Sequence, residues 1–533
     1  MSTSFRMMKT MLDSNRFLAL LALLLGLFAP RSVVAAKATN PFIWADVPDV
    51  AVIRVGGTYY MSSTTMHMSP GLPIMKSKDL VNWSLLGYAY DTLVDNDKMR
   101  LEDGQNAYGA GSWASSLRYH DGTFYVSTFS ATSGRTHIYM TKDIEKCEWE
   151  EISFEPSMHD HSLFFDDDGR VYFLYGGGDL RLRELESDLS GIKEGGFDEI
   201  VIEDAHSVVT DDVMLHAEGT QMLKVDGKYY VMNICWPRGG MRTQTVHRAD
   251  KITGPYEGRM ALQDKGVAQG CLIDTPDGDW YAVLFQDNGA VGRSPWLVPV
   301  TWEDGWPVLG LEGKAPMYLN IDDNEEGLAN IVASDEFNRK EGSPLPLAWQ
   351  WNHNPVASDW SIGTRKGHLR IATGRVDESV LQTRNMLTQR TFGPISSAMT
   401  KLDVGGMKNG DVAGLIALQR HYGYVGVRQT ADERSLVMVN AGGDSPVEVA
   451  RLPLDQDSVF LKIECDFREH VDKAYFYYSL DGKRWRRIGD VLHMRYTLPH
   501  FMGYRFGLFN QATEETGGFV DFDFYRIDDR LSE

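Results

Sequence analysis

Residues 226–233 read DGKYYVMN, a tight D-G turn running into an aromatic and β-branched strand. Four more stretches carry the same signature: GGTYYMSS (56–63), DGTFYVST (121–128), DGRVYFLY (168–175) and DGDWYAVL (277–284). Measured between Gly57, Gly122, Gly169, Gly227 and Gly278, the spacings are 65, 47, 58 and 51 residues. That is the length of one four-stranded blade with loops of variable size. A second turn keeps the same phase in four of the five repeats, at Lys78-Asp79, Lys142-Asp143, Ser187-Asp188 and Ala249-Asp250. Helical periodicity is hard to find between 41 and 310. The pattern predicts an all-β chain that opens with a five-bladed β-propeller over 37–320.

Beyond Leu309 the rhythm changes. An acidic connector is expected over 321–333, beginning IDDNEEGLANI (321–331), and a new unit over 334–533. HLRIAT (368–373), GDVAGLIALQ (410–419), VFLKIECDF (459–467) and FVDFDFYRI (519–527) read as strands between turns, which predicts a β-sandwich. Toward the other end, FLALLALLLGLF (17–28) follows Arg6, Lys9 and Arg16 and precedes Val34-Ala35-Ala36. The run is too short to span a bilayer, which takes about 20 residues, and has the layout of a secretory signal peptide over 1–36. The expected location is therefore secreted or periplasmic.

Charge narrows the partners. With 53 basic and 74 acidic side chains the net charge is −21, which repels phosphate backbones and anionic lipid, so neither a nucleic acid nor a membrane surface is expected. Four cysteines, Cys147, Cys235, Cys271 and Cys465, are too scattered for a zinc cluster or a disulfide scaffold. Cys235 and Cys271 follow adjacent blade strands, and an oxidising compartment would permit a bond between them.

Counting back from each hairpin glycine is more telling. Asp49 lies eight residues before Gly57, and Trp113, Asp160, Glu218 and Gln269 lie nine before the other four. In a propeller these positions converge at one mouth of the central channel. A single Asp at such a place is most often a solvated turn residue. Three acids in phase, each just ahead of an apolar stretch, call for another reason, because clustered carboxylates repel one another. Glycosidic bond hydrolysis supplies one: an acid for the leaving oxygen, a base for water, and a third carboxyl to raise the acid's pKa.

The chain resembles glycoside hydrolase family 43, in particular members with a C-terminal sandwich, from about Asn40 onward. The strings that carry this include PDVAVIRVGGTYYMSSTTMHMSPGLPIMKSKDLVNW (48–83), HDHSLFFDDDG (159–169), AEGTQMLKVDGKYYV (217–231) and GAVGRSPWLVPVTWEDGWPVL (289–309), with WQWNHNP (349–355) and NMLTQR (385–390) beyond. The resemblance implies a concanavalin-like sandwich. It implies Asp49 as general base, Asp160 as the pKa modulator and Glu218 as general acid. It further implies Arg293 as a sugar-binding arginine and Trp113 as a pocket wall, beside Gln269 from the repeat count. It also implies a sandwich loop closing the pocket, for which Asn510–Gly518 is the candidate.

Two positions depart from the family pattern. Ala268 stands where a histidine usually helps bind an axial calcium or water cluster, in VAQGC, with Cys271 in place of a glycine; and Ser115-Ser116 replace a usual Pro and Asp. No axial metal is therefore expected and no cofactor is required. Asp335, Asp521 and Asp523 are candidate ligands of a structural calcium, with solvated strand-end acids as the alternative. The leading expectation is an inverting exo-glycosidase acting on terminal α-L-arabinofuranosyl or β-D-xylosyl units of oligo- or polysaccharides. The alternatives are a catalytically weak carbohydrate-binding propeller and a family member acting on another glycoside.

Overall fold

The structure, a computed structural model, describes residues 37–323, 328 and 330–532; the expected signal peptide lies outside them. Five four-stranded antiparallel sheets follow in chain order. Blade 1 comprises Ala51–Val55, Thr58–Ser62, Gly71–Ser77 and Trp83–Tyr90, and blade 2 comprises Ser116–His120, Thr123–Ser130, Arg135–Thr141 and Glu150–Phe154. Blade 3 comprises Ser162–Phe165, Val171–Gly177, Asp179–Leu185 and Asp198–Ile202. Blade 4 comprises Val213–Val225, Lys228–Pro237, Thr243–Ala249 and Glu257–Leu262, and blade 5 Ala268–Asp274, Trp280–Asp287, Arg293–Glu303 and Trp306–Leu309. The first strands of the five neighbour one another around the axis. In blades 2 and 4 the D-G pair is the entire loop, His120 facing Thr123 and Val225 facing Lys228. Both turn residues have positive φ, 46° and 78° at Asp121 and Gly122, 50° and 78° at Asp226 and Gly227, as the hairpin turn that matches strand twist requires.

The unbroken apolar runs after each turn have a packing reason. Each second strand is buried on both faces. Val171 and Phe173 pack toward blade 2, whereas Tyr172 and Leu174 pack toward blade 4. Tyr229 and Val231 likewise face blade 3, and Tyr230 and Met232 face blade 5. The ring therefore has a hydrophobic core in each of its seams, and each large side chain buried there contributes about 1.5–3 kcal/mol.

Closure between blades 5 and 1 uses a clasp outside the blades. Lys37–Thr39 pairs with Tyr318–Asp322. Asn40 then holds blade 5 with both ends of its amide: Nδ2 donates to the carbonyls of Leu297 and Pro316 at 2.8 and 2.9 Å, and Oδ1 accepts from Leu297 N at 2.9 Å. The connector expected over 321–333 thus begins inside the clasp, and its Ile331 and Val332 are buried in the seam core.

The second unit is a sandwich of two antiparallel sheets. One runs Val447–Pro453, Arg434–Asn440, Gly423–Gln429, Asp411–Leu418, Arg505–Ala512, Leu387–Arg390 and Gln350–Asn352. Its last strand belongs to the propeller: Met68–Ser69, from blade 1, pairs with Trp351 and Asn352. The facing sheet includes Phe519–Asp528, Ile395–Asp403 and Ser458–Asp466. The domains thus share a β-ladder. Asp46 reinforces the joint: its carboxylate accepts from Arg293 N at 2.8 Å and from Gly503 N at 2.9 Å, and its carbonyl from Arg390 Nε at 2.9 Å.

Two expectations are corrected. All four cysteines are free, so Cys235 and Cys271 form no bond; the Cys271 Sγ instead accepts from Val52 N at 3.2 Å across the blade 5–blade 1 seam. The three sandwich aspartates are not gathered as ligands. Asp335 bonds Arg339 and Trp349 Nε1, Asp521 takes a two-toothed contact from Arg370, and Asp523 pairs with Lys401. Each carboxylate has a cationic partner of its own.

Asp46→Ala leaves two buried N–H groups without an acceptor, each costing about 1–3 kcal/mol. The urea midpoint of the variant should fall by the equivalent of about 2–4 kcal/mol; an unchanged midpoint would contradict this account of the joint.

Candidate active site

The in-phase residues meet at one end of the axis. A small void there is lined by Asp49, Asp160, Gly219 and Gln269, and Glu218 adjoins it as the chain neighbour of Gly219 and the hydrogen-bond partner of His159, which precedes Asp160. The backbone explains how acids that precede or begin the inner strands come to face the axis. Asp49, Asp160 and Gln269 all have left-handed conformations, with φ of 53°, 47° and 58°. Aspartate tolerates that region better than most residues, and such local strain concentrates at functional sites. Gly219 follows Glu218 at φ 66°, and a side chain on it would run into Gln269 at 2.6 Å. Its N–H donates to Asp160 Oδ2 at 2.8 Å.

Asp49 is 5% exposed and pairs with Arg293, itself 3% exposed, Nη1 to Oδ1 at 2.7 Å. Burial raises the Asp49 pKa against the opposing charges of Arg293 and Arg242. Burial works against the Arg293 charge, but Asp49 together with Tyr496, Asp46 and Asp287 outweighs it and keeps the guanidinium firmly charged. The guanidinium lies against Phe285 and Phe501, at 5.3 and 4.7 Å. Its Nε and Nη2 have no acceptor among the described residues, and neither does Trp113 Nε1. Trp113 lies 4.7 Å from Phe501 and 6.1 Å from Phe129, and Phe129 stands edge-on to His159 at 5.3 Å. An aromatic arc therefore runs from the Asp49–Arg293 pair round to Glu218.

His159 Nε2 is 2.9 Å from Glu218 Oε2 and 3.9 Å from Asp160 Oδ2. Burial opposes the imidazolium, but the hydrogen bond to Glu218 and the two carboxylate charges push it up to about 9. Burial and then the Glu218 charge push Asp160 up to about 7, against His159 and the Gly219 N–H. The donor atoms of these three residues lie within 4.8 Å of one another. The imidazole–carboxylate hydrogen bond already gives each of two groups a partner without an ion.

The axial calcium position fits poorly. Ala268 has no ligand atom, Asp49 is bound to Arg293, and the void beneath the acids measures about 10 Å³, room for about one water. Below it Arg118 crosses the channel, donating to Leu163 O, Ser162 Oγ and Met222 O at 2.6, 2.7 and 3.1 Å. Ser115 and Ser116 serve as ties between blades, Ser115 to Ser62 Oγ and Gln221, Ser116 to Leu163 N.

The structure thus brings together Asp49, Trp113, Asp160, Gln269 and Arg293, with Glu218 joined through His159 and Gly219. It corrects the sandwich loop: Asn510–Gly518 does not reach this pocket. Asn510 ends its reach inside the sandwich, donating to Ile371 O at 3.0 Å, and Ala512 pairs with Asp411. The segment that leans over is 495–503, carrying Phe501, with Pro499 packed on Gly109. Sequence reasoning missed Phe501, His159 and Arg118. His159 stood next to Asp160 in the HDHS string and could have been noticed; Phe501 sits outside any repeat.

With this geometry in view, the comparisons have a place. Residues 38–307 match the family model described as glycosyl hydrolases family 43, and 334–528 match that of the beta xylosidase C-terminal concanavalin A-like domain. The chain belongs to glycosyl hydrolase family 43. Accordingly it is a glycoside hydrolase, an all-β protein of five-bladed propeller and concanavalin-like sandwich. It is 28% identical to a beta-xylosidase of Formosa agariphila, over 92% of this chain and 90% of that one. It is 29% identical to a non-reducing end alpha-L-arabinofuranosidase of Bacteroides ovatus, over 74% of this chain and 77% of that one. A solved bifunctional GH43-CE protein of Bacteroides eggerthii superimposes with a TM-score of 0.92 at 59% identity, covering 93% of this chain. This chain spans 64% of the length of that protein.

Asp160→Asn isolates one charge of the site. A group whose pKa is raised in the fold stabilises below its unfolded value, 3.8 here, and that contribution is lost as pH climbs through about 7. The melting temperature of the variant relative to the parent should therefore rise between pH 4 and pH 8, by about 2–4 °C. A difference that stays flat or falls would refute the buried, proton-holding Asp160.

Proposed function

We propose that the protein is an exported, inverting exo-glycosidase that releases single terminal pentoses, α-L-arabinofuranosyl, β-D-xylosyl or both, from plant-type oligo- or polysaccharides. The observation that carries this reading is the division of the carboxyls: Asp49, fixed by Arg293, lies on blade 1, and the half-open Glu218 lies on blade 4, with blade 5 between them. In this reading Asp49 takes a proton from a water that attacks the anomeric carbon. Glu218 gives its proton to the departing oxygen as the glycosidic bond breaks. A separation of roughly 6.5–9.5 Å between such groups leaves room for that water and inverts the centre. Asp160, whose pKa is raised by burial and by Glu218, is the modulator in this reading: two adjacent carboxyls repel when both are ionised, so the pair favours keeping a proton between them.

Terminal attack is favoured by the Phe501 segment, which walls one side of the pocket. The unpartnered Arg293 and Trp113 N–H groups are donors for sugar hydroxyls, which would satisfy them. The named activities of the relatives support both pentoses as substrates. The apolar run at 17–28 supports export. No step is assigned to a metal.

The test is hydrolysis of 4-nitrophenyl α-L-arabinofuranoside and 4-nitrophenyl β-D-xylopyranoside by the chain from Lys37, with the product anomer followed by NMR. Asp49→Asn and Glu218→Gln should each lose about 10²–10⁴-fold in kcat/KM, and the first-formed anomer should be the inverted one. A folded parent inert toward both sugars would refute the pentosidase reading and leave a binding propeller or another glycoside; retention would refute the inverting arrangement. A further expectation concerns Arg293→Met. The base acts ionised and Arg293 holds its pKa down, so the acid limb of the kcat/KM profile should move to higher pH.

A further inference from the structure

The Glu218 carboxyl has one side-chain partner among the described residues, His159, at 2.9 Å from Oε2. Among the described residues Oε1 takes part in no hydrogen bond or ion pair, and the side chain as a whole keeps 23% of its exposure. A glutamate has three rotatable bonds, so an untethered carboxyl would spread over several orientations. The imidazole that tethers it is itself held. Its backbone carbonyl accepts from Gly176 N at 3.2 Å, and its ring stands edge-on to Phe129.

We propose that His159 is a positioning residue for proton delivery. Its Nε2–H donates to Glu218 Oε2, so that the transferable proton resides on Oε1 and faces the leaving group. The assignment rests on the glycosidase reading above. The Nε2–H donor is present both in the imidazolium and in the neutral tautomer protonated at that nitrogen, so the bond survives a change of charge on the ring. The balance is simple. The O–H bond at Glu218 Oε1 breaks, the proton goes to the glycosidic oxygen, and the electron pair of the C–O bond leaves with that oxygen. Glu218, now a carboxylate, keeps the His159 hydrogen bond, which strengthens with the charge, and it recovers a proton from solvent as the product departs. His159 has 45% of its side chain exposed, so water reaches the pair.

A residue that only lined the pocket would affect every substrate alike. One that aims the acid must matter most where the leaving group needs a proton. The decisive comparison is therefore between 4-nitrophenyl and methyl glycosides of the same pentose, with His159→Phe and His159→Gln, whose amide nitrogen reaches the place of Nε2. His159→Phe should lower kcat/KM on the methyl glycoside about 10²-fold and on the 4-nitrophenyl glycoside less than about 5-fold. His159→Gln should recover the methyl activity to within about 10-fold of the parent. Added to Glu218→Gln, His159→Phe should cost nothing further, since both act through one group.

Equal losses on the two leaving groups, or an additive double variant, would overturn the inference while leaving the glycosidase reading intact. A parent that hydrolyses neither glycoside would overturn both. Melting curves separate these outcomes from a failure to fold: if the Phe variant unfolds early, the Gln variant carries the test, and unchanged leaving-group sensitivity in a variant with parent-like melting sinks the proposal.

Discussion

The ion pair between Asp49 and Arg293 is the contact on which the rest of the arrangement turns. Both partners are almost wholly removed from water, and a buried charge without its partner costs several kcal/mol. Neither can therefore be placed without the other. The pair sits across the blade 5–blade 1 seam, with Asp46 three residues upstream binding the backbone of Arg293 and of Gly503. Phe501, brought by the second domain, covers the guanidinium. One interaction thereby links ring closure, the domain joint and the geometry of the pocket.

The pocket divides into two electrostatic halves. Around Asp49 the fixed positive charge of Arg293 and the nearby Arg242 favour an ionised carboxylate, opposing burial. Around Glu218 the partners are an imidazole and a second, proton-holding carboxyl. Acid and base chemistry at one pH requires such a split in environment, and here the two halves come from different blades. Beneath both, Arg118 is bonded to neutral oxygens of blades 3 and 4, so that part of the floor is held by hydrogen bonds between blades 2, 3 and 4, and Arg118 also lines a cavity of about 330 Å³ bordered by all five blades.

What could be read from the sequence followed period and phase. The hairpin motifs encode a local turn, and repetition of that turn placed Asp49, Asp160, Glu218 and Gln269 at one end of an axis before any coordinates. The left-handed backbones of Asp49, Asp160 and Gln269 belong to the same local code. What escaped was non-local. Met68–Ser69 reads as a loop between blade strands, yet it completes the sandwich sheet because Trp351 and Asn352 present it an open edge. The pocket-closing loop is expected at Asn510–Gly518 but is instead the one that carries Phe501, because nothing local says which sandwich loop lies nearest the pocket; the domain joint decides it. Asp521 and Asp523 looked like oxygen ligands because the cations that neutralise them, Arg370 and Lys401, are 151 and 122 residues away in the chain, although Arg339 lies only four residues from Asp335.

The clasp that shuts the ring has a temporal side. Asp49 is among the first residues of the propeller to leave the ribosome, and Arg293 follows 244 residues later. Until blade 5 exists and Asn40 has engaged it, the early carboxylate has no cation to orient it. A polypeptide released before that point, or cleaved ahead of Arg293, carries Asp49, Asp160 and Glu218 and still lacks the arginine that fixes Asp49. Completion of the ring and completion of the pocket are thus one event: the last blade to be made brings the cation that the first carboxylate awaits.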